Sequence, residues 1–396
     1  MPQHRYLIVG GGITADAAAR GIRSVDPEGS IGILSQESDP PYDRPPLSKG
    51  LWKGWPVERV LRGTRDLPNV QLHLGRRAQR IDREPRTVLD ERGTIYSYDK
   101  LLIATGLQPR TLPDAVPQVI HFRTLEDYRR LRAATAASSR VIVIGGGYIA
   151  TELAAVLCEA GKQVTVLFPE ERVLEPITTP GIGEELAALY RTRGVDLRPG
   201  TKVLAVRRSG PRFLVAVSGA SSETLRADVV VAGIGATPNV LLAQGARLEV
   251  EDGIVVDASF RTSDANVFAA GDVAAFWSPI LGRTLRVEHE DHANQSGFLA
   301  GQAMAGLSVS YEHIPFHYSD LFDQHYDVVG EVGPGMETFE EWTDPYRRGI
   351  VYYLRGGRVR GLTLWNLPGR IDEARALIRG NRPHIHLDPT ARIRVG

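Results

Sequence analysis

Two glycine-rich turns are the parts of this chain best suited to hold a phosphate-bearing ligand. Each follows a run of aliphatic residues. The first turn consists of Gly10, Gly11, Gly12, Ile13 and Thr14, and the second of Gly145, Gly146, Gly147 and Tyr148. Glycine lets the backbone bend sharply and lets a pyrophosphate approach the free N–H groups at a helix start. Each turn therefore predicts a dinucleotide site, and two such sites in one chain indicate electron transfer between a bound flavin and a nicotinamide.

The segments around the two turns predict the strand and the helix that such a site needs. Residues 7–9 and 141–144 are apolar without alternation, which is typical of parallel strands covered on both faces. Residues 15–23 and 151–161 carry apolar residues at helical spacing, and Gly161 fits a helix stop. A tight turn alone could also place glycines after a strand, but the recognisable strand and helix favour a nucleotide site.

An acidic residue at the end of the second strand of each unit is predicted to accept the ribose hydroxyls. Glu37 stands at a suitable distance after the first turn, and Glu170 follows the apolar residues 164–168. A carboxylate at Glu170 would repel a 2′-phosphate and therefore favours NADH over NADPH. Arg172 lies nearby and leaves that preference open.

The order of similar segments along the chain predicts its domains. Residues 98–106 and 227–239 each combine a charged entry, an apolar strand and an exit that contains glycine, and prolines near both exits suit linkers. Residues 267–273 then form another strand, which ends at Gly271 and Asp272. From about residue 313, short alternating runs predict a small antiparallel sheet, followed by a helix over 371–378 and an irregular tail from 382.

We therefore predict an α/β fold with two Rossmann-like dinucleotide-binding domains, one for FAD and one for NAD, and a C-terminal α+β domain. The first dinucleotide-binding domain is discontinuous and comprises residues 1–112 and 240–312. The second comprises residues 113–239, and the C-terminal domain comprises residues 313–396.

Composition argues against several classes of function. The 396 residues include 47 Lys plus Arg and 47 Asp plus Glu, so no net field draws the protein to nucleic acid or to an anionic membrane. The single cysteine, Cys158, excludes an intramolecular disulfide and argues against disulfide reductases, which need a thiol beside the flavin. No uncharged stretch suits a membrane span, and the first strand begins almost at the amino terminus, so we expect a cytoplasmic protein.

The loop between the two turns carries the most distinctive sequence of the chain. Residues 39–49 read Asp-Pro-Pro-Tyr-Asp-Arg-Pro-Pro-Leu-Ser-Lys, and no general property of loops requires that order. The loop resembles the corresponding segment of the ferredoxin-reductase-like flavoproteins, within which the chain is most similar to the apoptosis-inducing factor type of NADH oxidoreductase. Further matching segments extend over nearly the whole chain; they are residues 145–155, 168–170, 267–272, 285–293, 318–320 and 364–366.

The resemblance implies FAD in the first domain and NADH in the second, with residues for each. The residues implied for FAD are Gly10, Gly11, Gly12, Ile13, Thr14, Glu37, Arg44, Lys49, Asp272, Glu288, His289, Tyr318 and Asn366. Those implied for NADH are Gly146, Gly147, Tyr148, Glu152, Glu170 and Gly235. Tyr318 and Glu290 stand where the animal apoptosis factor has tryptophan and histidine, and that protein's long insertion in the last domain is missing. Flavin stacking, redox-controlled dimerisation and a homodimer therefore stay open.

Lys49 and Glu152 are the predicted catalytic residues, because the resemblance places both beside the flavin. A lysine near the ring would stabilise arriving electron density, while the carboxylate would hold the ammonium and help to orient the nicotinamide. From the residues alone, Lys49 could instead be a solvated loop charge and Glu152 a residue that favours the first turn of a helix. Tyr148 could be a movable gate or an aromatic residue packed at an interface.

The leading functional hypothesis is an FAD-dependent oxidoreductase. It would accept hydride from NADH and pass electrons to an acceptor such as a ferredoxin-type iron–sulfur protein or a quinone. The alternative is a redox-dependent interaction protein whose NADH-reduced state changes its surface or its oligomer. Residues 288–292 are rich in His and carboxylates but lack an open-site signature, so we predict no metal site. Nucleic acid is not an expected partner.

Overall fold

The computed structural model describes residues 1–219, 222–381 and 392–393. They form two compact units, each assembled from separate stretches of the chain. The first unit contains Met1–Arg44, Pro56–Gln108 and Thr237–Pro315, and the second contains Pro45–Trp55, Pro109–Ala236 and the described residues from 316 onward. Apart from residues 392–393, the irregular tail predicted from residue 382 lies outside the described residues.

The helices are numbered in chain order. In the described residues the α-helices are α1 (Ile13–Arg23), α2 (Leu125–Ala136), α3 (Tyr148–Glu159), α4 (Pro180–Thr192), α5 (Leu241–Gly245), α6 (Glu290–Met304) and α7 (Ile371–Gly380). Short 3-10 helices occur at Pro45–Ser48, Gly50–Lys53, Val57–Val60, Thr64–Asp66, Glu175–Ile177 and Gly271–Val273.

The described strands contain from two to nine residues. They are β1 (Gln3–Val9), β2 (Ile31–Leu34), β3 (Val70–His73), β4 (Ala78–Asp82), β5 (Thr87–Asp90), β6 (Ile95–Ile103), β7 (Leu107–Pro109), β8 (Ile120–His121), β9 (Arg140–Ile144), β10 (Gln163–Leu167), β11 (Asp196–Arg198), β12 (Lys202–Ser209), β13 (Arg212–Ser218), β14 (Glu223–Ala227), β15 (Val229–Ala232), β16 (Ala236–Pro238), β17 (Ile254–Val256), β18 (Val267–Ala269), β19 (Ala274–Ser278), β20 (Arg283–Leu285), β21 (Phe316–Leu321), β22 (Gln324–Gly330), β23 (Glu337–Asp344), β24 (Arg348–Arg355) and β25 (Arg358–Trp365).

A mostly parallel sheet forms the centre of the first unit. Its parallel strands lie in the order β3-β2-β1-β6-β18, and β5 and β4 continue antiparallel from the first half of β6. Leu7 and Ile8 of β1 are fully buried, because a central parallel strand is covered on both faces. β2 and β6 flank β1 on opposite sides, so the carboxyl end of β1 is the switch point at which such sheets bind ligands.

Helices α1 and α6 pack closely in the first unit, and glycine permits the close approach. A Cβ added to Gly21 of α1 would lie 2.0 Å from the Phe298 carbonyl oxygen. A Cβ added to Gly301 of α6 would lie 2.1 Å from the Ala18 carbonyl oxygen. This packing buries the alanine-rich face of α1 and fixes its amino end after β1.

The second unit is built from one parallel and two antiparallel sheets in its described residues. The parallel sheet has the order β11-β10-β9-β15-β8, and α3 and α4 form the crossovers after β9 and β10. The antiparallel sheets have the orders β12-β13-β14 and β21-β22-β25-β24-β23. Helix α7 packs on β22 and β25.

The predicted fold class is confirmed. Each predicted glycine turn follows a central strand of a parallel sheet, and an antiparallel sheet with a following helix occupies the last part of the described chain. The helices predicted over 15–23 and 371–378 correspond to α1 and α7. The assignment of residues to FAD-binding, NAD-binding and C-terminal domains stays a prediction.

Candidate functional site

The first glycine turn follows β1 directly, at the switch point of the sheet of the first unit. Gly10 has a φ of +122°, a conformation that L side chains rarely adopt. A Cβ at Gly10 would lie 2.0 Å from the Ala104 carbonyl oxygen, and one at Gly11 would lie 2.2 Å from the Ser35 hydroxyl. Because Ala104 contributes a backbone atom, which cannot move aside, the turn requires glycine at position 10.

The third glycine of this turn begins α1. Gly12 is the N-cap residue, and no described side chain caps the helix start. A Cβ on Gly12 would meet only Arg44 Nη2, at 3.8 Å. Ile13 and Thr14, which follow, are buried. The helix start therefore presents backbone N–H groups to open space beside a guanidinium, which is the arrangement that binds a phosphate.

Glu37 and Arg44 bind each other next to this helix start. Arg44 Nη2 lies 2.7 Å from Glu37 Oε1, and Tyr42 Oη donates to Glu37 Oε2 at 2.5 Å. Burial lowers the pKa of Arg44, but the electrostatic interactions with Tyr42 and Glu37 outweigh it and leave the pKa raised. The predicted ribose acceptor is thus held in place by two donors from its own loop.

Asp272 follows a glycine that lies against the first turn. Gly271 has a φ of +73°, and its Cβ would lie 2.2 Å from Thr14 Oγ1. Arg286 links this segment to Glu288, because its Nη1 donates to the Asp272 carbonyl oxygen at 3.3 Å and to Glu288 Oε1 at 2.7 Å. Asp272 and Glu288 are therefore brought together by one guanidinium.

His289 is the N-cap residue of α6 and interacts electrostatically with Asp272. Burial lowers the pKa of its imidazole to about 4, so the ring is neutral at pH 7. The predicted FAD residues that lie in the first unit are Gly10, Gly11, Gly12, Ile13, Thr14, Glu37, Arg44, Asp272, Glu288 and His289.

The predicted catalytic residues form an ion pair inside the second unit. Lys49 Nζ lies 2.6 Å from Glu152 Oε1, and the two side chains are only 14% and 5% exposed. Ser319 Oγ donates to Glu152 Oε1 at 2.6 Å, and Ser48 Oγ donates to Glu152 Oε2. Three donors therefore converge on one carboxylate, and their interactions offset part of the cost of burying it.

Three different elements place the members of this cluster. Glu152 lies in the first half of α3, and Ser319 lies on β21. Lys49 stands between the 3-10 helices Pro45–Ser48 and Gly50–Lys53. The two prolines that open the first of these helices fix the backbone before Ser48 and Lys49, so the loop presents both side chains in one geometry.

Tyr318 joins this cluster through its ring. Lys49 Nζ lies 5.4 Å from the ring centroid, which is within the range of a cation–π interaction. Tyr318 is 36% exposed whereas Ser319 is buried, because successive side chains of β21 point to opposite faces. Ser319 is therefore available to the carboxylate, while Tyr318 presents an aromatic face beside the ammonium.

The second glycine turn repeats the geometry of the first within the second unit. Gly145 has a φ of +124°, and its Cβ would lie 2.3 Å from the Gly233 carbonyl oxygen. Gly147 is the N-cap of α3, with no described side chain as a cap and no atom within 4 Å of an added Cβ. The Cβ of Gly146 would lie 3.0 Å from the Phe168 ring. The start of α3 therefore also offers N–H groups to an anion.

Tyr148, Glu170 and Gly235, which are also predicted to bind NADH, have different environments. Tyr148 packs edge-on against His317, with ring centroids 4.9 Å apart and planes at 86°. Glu170 is exposed after β10, and Gly235 has a φ of +90° near Arg110. Both interpretations of Tyr148, as a gate and as an aromatic residue packed at an interface, stay predictions.

Asn366 directly follows β25, and its side-chain amide is held by hydrogen bonds. Its Oδ1 accepts from the His325 backbone N–H at 2.7 Å. Its Nδ2 donates to Gln324 Oε1 at 2.8 Å and to the Arg347 carbonyl oxygen at 2.7 Å. Its predicted contact with the flavin stays a prediction.

Sequence reasoning missed the two serines that bind Glu152. Ser48 precedes Lys49, and Ser319 follows Tyr318, so both lay beside predicted site residues inside matching segments. That adjacency was the available signal, but only the fold brings the two serines to the same carboxylate. His325, which contacts both Tyr318 and Asn366, was also missed.

Two features are absent from the described part of the chain. No group of three or more His, Cys, Asp or Glu side chains in it could hold a metal ion. None of its helices combines the length and the apolar character that crossing a membrane requires.

The geometry suits two dinucleotides and a redox reaction. In each parallel sheet a central strand ends in a glycine turn, and the helix that follows has an open start. This arrangement fits the pyrophosphate of a dinucleotide. A buried ammonium, held by a carboxylate with hydroxyl donors, could stabilise negative charge that develops on a nearby ring.

Comparison with known proteins agrees with this chemistry. The sequence pattern of the family described as pyridine nucleotide-disulphide oxidoreductase matches residues 4–297. The ferredoxin–NAD(+) reductase component of an anthranilate 1,2-dioxygenase system from Burkholderia cepacia is 36% identical over 401 residues, covering 97% of each chain. Putidaredoxin reductase from Pseudomonas putida is 34% identical over 388 residues, covering 95% of this chain and 92% of that protein.

A solved structure shows the same fold. The covalent complex of putidaredoxin reductase with putidaredoxin contains a chain that matches with a TM-score of 0.89 and 31% identity, over 97% of this chain and 94% of that one. The expected FAD and NADH cofactors and the flavoprotein oxidoreductase class are confirmed by these relationships. The chain is an FAD- and NADH-dependent oxidoreductase, resembles the ferredoxin reductases over nearly its whole length, and belongs to the pyridine nucleotide-disulphide oxidoreductase family.

Proposed function

We propose that this protein takes hydride from NADH and passes the electrons to a small ferredoxin-type iron–sulfur protein. The observation that carries the proposal is the buried Lys49–Glu152 ion pair, which lies in the second unit together with the open start of α3. Two relatives that align over nearly the whole chain are named as reductases of such carriers, and one solved relative is joined to its carrier.

Lys49 and Glu152 act as an electrostatic pair in this proposal. When FAD is bound, it supplies a ring that accepts hydride and later gives up electrons singly. Lys49 stabilises the negative charge that arrives on the ring, and Glu152 holds the ammonium and orients the nicotinamide carboxamide. Ser48 and Ser319 fix the carboxylate, so little reorganisation is needed when charge arrives.

The first unit is proposed to retain FAD. The N–H groups that follow Gly12 bind the pyrophosphate, and Arg44 adds a positive charge beside them. Glu37 and Asp272 accept hydrogen bonds from the hydroxyl groups of the ribose and of the ribityl chain. Further proposed FAD contacts in this unit are Gly10, Gly11, Ile13, Thr14, Glu288 and His289. Lys49, Tyr318 and Asn366, which the resemblance also assigns to FAD, belong to the second unit.

The second unit is proposed to bind NADH at the start of α3. Gly146 and Gly147 give the pyrophosphate access to the backbone, Glu170 accepts the ribose hydroxyls, and Gly235 permits a close approach. Tyr148 is proposed as a gate at the same helix start, and it would have to leave its packing on His317 to open.

The alternative function is less well supported. A redox-dependent interaction protein would be marked by slow turnover with every carrier and by a change of oligomer on reduction. The relatives named above are reductases rather than interaction proteins, which favours the enzyme. A cytoplasmic location and a homodimer belong to the proposal as well, and cell fractionation and light scattering of the purified protein test them.

Anaerobic stopped-flow measurements test the proposed function. FAD-loaded protein is mixed with NADH or NADPH, and the reduced protein is then mixed with oxidised putidaredoxin as the probe. We expect faster reduction by NADH than by NADPH, and reoxidation by the iron–sulfur protein that is much faster than reoxidation by oxygen or by a quinone. An enzyme that NADH does not reduce, or that a panel of ferredoxins cannot reoxidise, contradicts the proposal.

A further inference from the structure

His325 lies in a patch of four side chains on one face of the β21–β22 hairpin. The register pairs Tyr318 with Asp327 and Asp320 with His325, so these side chains share a face. His325 Nδ1 lies 2.8 Å from Asp320 Oδ1, and its Nε2 lies 3.4 Å from Asp327 Oδ1. The imidazole therefore bridges two carboxylates of neighbouring strands.

The same imidazole connects this patch to the Lys49–Glu152 pair. It stacks on Tyr318, with ring centroids 6.2 Å apart and planes at 29°. The Tyr318 ring in turn lies 5.4 Å from Lys49 Nζ, which is bound to Glu152. Contacts thus run from His325 through one aromatic ring to the predicted catalytic ammonium.

Asp320 is the group that could disturb the Lys49–Glu152 pair. A hydrogen bond from His325 is the largest influence that lowers the pKa of Asp320, and the charges of Lys49 and Lys53 lower it further. If His325 lost its charge, its ion pair with Asp320 would weaken to a neutral hydrogen bond, while Asp320 would still be attracted to both lysines. A carboxylate that draws Lys49 would compete directly with Glu152.

We propose that the His325 cation is a positioning residue, which holds Asp320 and Tyr318 on the hairpin and thereby leaves Lys49 paired with Glu152. This inference rests on the proposed function, because it takes Lys49 and Glu152 as the groups that promote hydride transfer. His325 acts only through its neighbours and is assigned no contact with FAD or NADH.

The groups that face His325 favour the protonated form of its imidazole. Asp320 faces the imidazole from β21 and Asp327 from β22, and hydrogen bonds to these two groups raise the pKa of His325 to about 9. Tyr318 faces it from β21, and Asn366 on the side of β25 binds only the backbone of His325. The cation is therefore complete at neutral pH and is lost as the pH rises through about 9.

Kinetics of the single variant H325Q and of the double variant H325Q/D320N test the role of His325. In FAD-loaded enzyme, the rate of reduction by NADH is expected to be constant near neutral pH and to fall roughly tenfold as the pH passes the pKa of His325. H325Q is expected to be slow at every pH and to lack this inflection. D320N removes the competing carboxylate, so the double variant H325Q/D320N is expected to recover to within about twofold of wild type.

A matched control separates this effect from general damage to the hairpin. Asp323 also lies in the hairpin, where it forms an exposed ion pair with Arg193 at 3.0 Å. D323N is expected to keep both the wild-type rate and the wild-type pH profile. If H325Q fails to fold, H325K takes its place, because it retains a cation and is expected to keep the neutral rate without the inflection.

A second readout does not depend on turnover. NMR titration of labelled histidine in the wild-type enzyme, with H325Q used for assignment, is expected to place the His325 pKa near 9 and to show it lowered in D320N. If the pKa of His325 is the same in D320N as in the wild type, the proposed pairing of His325 with Asp320 is wrong.

The outcomes distinguish this inference from the function on which it rests. Recovery of H325Q/D320N supports the inference, since a merely structural role of His325 would not be restored by removing its partner. A double variant that is no faster than H325Q, or an H325Q enzyme with the wild-type profile, overturns the inference and leaves the proposed function intact. If NADH does not reduce even the wild-type enzyme, the proposed function itself is wrong.

Discussion

The two glycine turns use the same backbone geometry in different surroundings. Gly10 and Gly145 have φ values of +122° and +124°, and each precedes a helix start without a side-chain cap in the described structure. Around the first turn, Glu37 is already bound to Arg44 and Tyr42. After the second turn, Glu170 is exposed to solvent.

This difference suits two tasks, the retention of a cofactor at the first turn and the exchange of a nucleotide at the second. Preorganised charges beside the first turn suit a cofactor that stays bound, because their positions are fixed before the ligand arrives. An exposed acid beside the second suits a nucleotide that must leave after each turnover. The charges proposed for chemistry lie farther along α3, where Glu152 meets Lys49.

Adding one methyl group to each turn is expected to give the largest effects, and different ones. Gly10→Ala should abolish FAD binding, because its Cβ would lie 2.0 Å from a backbone carbonyl. Gly145→Ala, with a contact of 2.3 Å, should retain FAD and lose NADH binding. FAD content after purification and titration with NADH measure both. Gly245→Ala meets no atom within 4 Å and is the control. If both turn variants lose the same nucleotide, the two turns do not differ as proposed.

Breaking the buried ion pair should give the next largest effect. Lys49→Met and Glu152→Gln are expected to retain FAD and to slow its reduction by NADH roughly 10²-fold, the usual loss when one electrostatic stabiliser is removed. Stopped-flow absorbance gives the rate. Lys202→Met is the matched control, since Lys202 is an exposed lysine of the second unit at the start of β12. Wild-type rates in both variants of the pair would remove its proposed role.

Arg44→Met should weaken FAD binding about tenfold without changing the reduction rate of enzyme saturated with FAD. The reason is that Arg44 lies beside the start of α1, whereas the hydride-transfer groups are placed in the second unit. Fluorescence titration of the FAD-free protein measures the affinity. Arg65→Met, at an exposed site of the same unit, is the control. Equal affinities in Arg44→Met and wild type would contradict the phosphate-binding role.

The smallest expected effect concerns the choice of nicotinamide. Glu170→Gln removes a charge that would repel a 2′-phosphate, so the preference for NADH over NADPH should fall by about tenfold or less. Ratios of kcat/KM for the two nucleotides measure it, and Glu171→Gln at the exposed neighbouring residue is the control. If Glu171→Gln lowers the preference for NADH and Glu170→Gln does not, then Glu171 rather than Glu170 contacts the ribose.

Much of the fold could be predicted because its signals are local. The apolar runs before Gly10 and Gly145 reveal central parallel strands, and the glycines reveal the turns that only they can form. The loop of residues 39–49 is equally local, so Glu37 and Arg44, seven positions apart, could be assigned to one site.

The contacts of Glu152 could not be predicted from local patterns. Its partners come from the loop at 48–49 and from β21, which are far from α3 in the sequence. A serine beside a site residue has no distinctive pattern of its own. His325 was missed for the same reason, since only the register of the β21–β22 hairpin places it opposite Asp320.

Anaerobic addition of NADH to FAD-loaded wild-type and Glu152→Gln protein tests directly whether the Lys49–Glu152 pair promotes reduction of the flavin. We expect one equivalent of NADH to bleach the flavin absorbance of the wild type rapidly, and to bleach the variant to the same extent but far more slowly. Protein that binds no FAD on reconstitution, or flavin that NADH reduces equally fast in both proteins, contradicts this expectation.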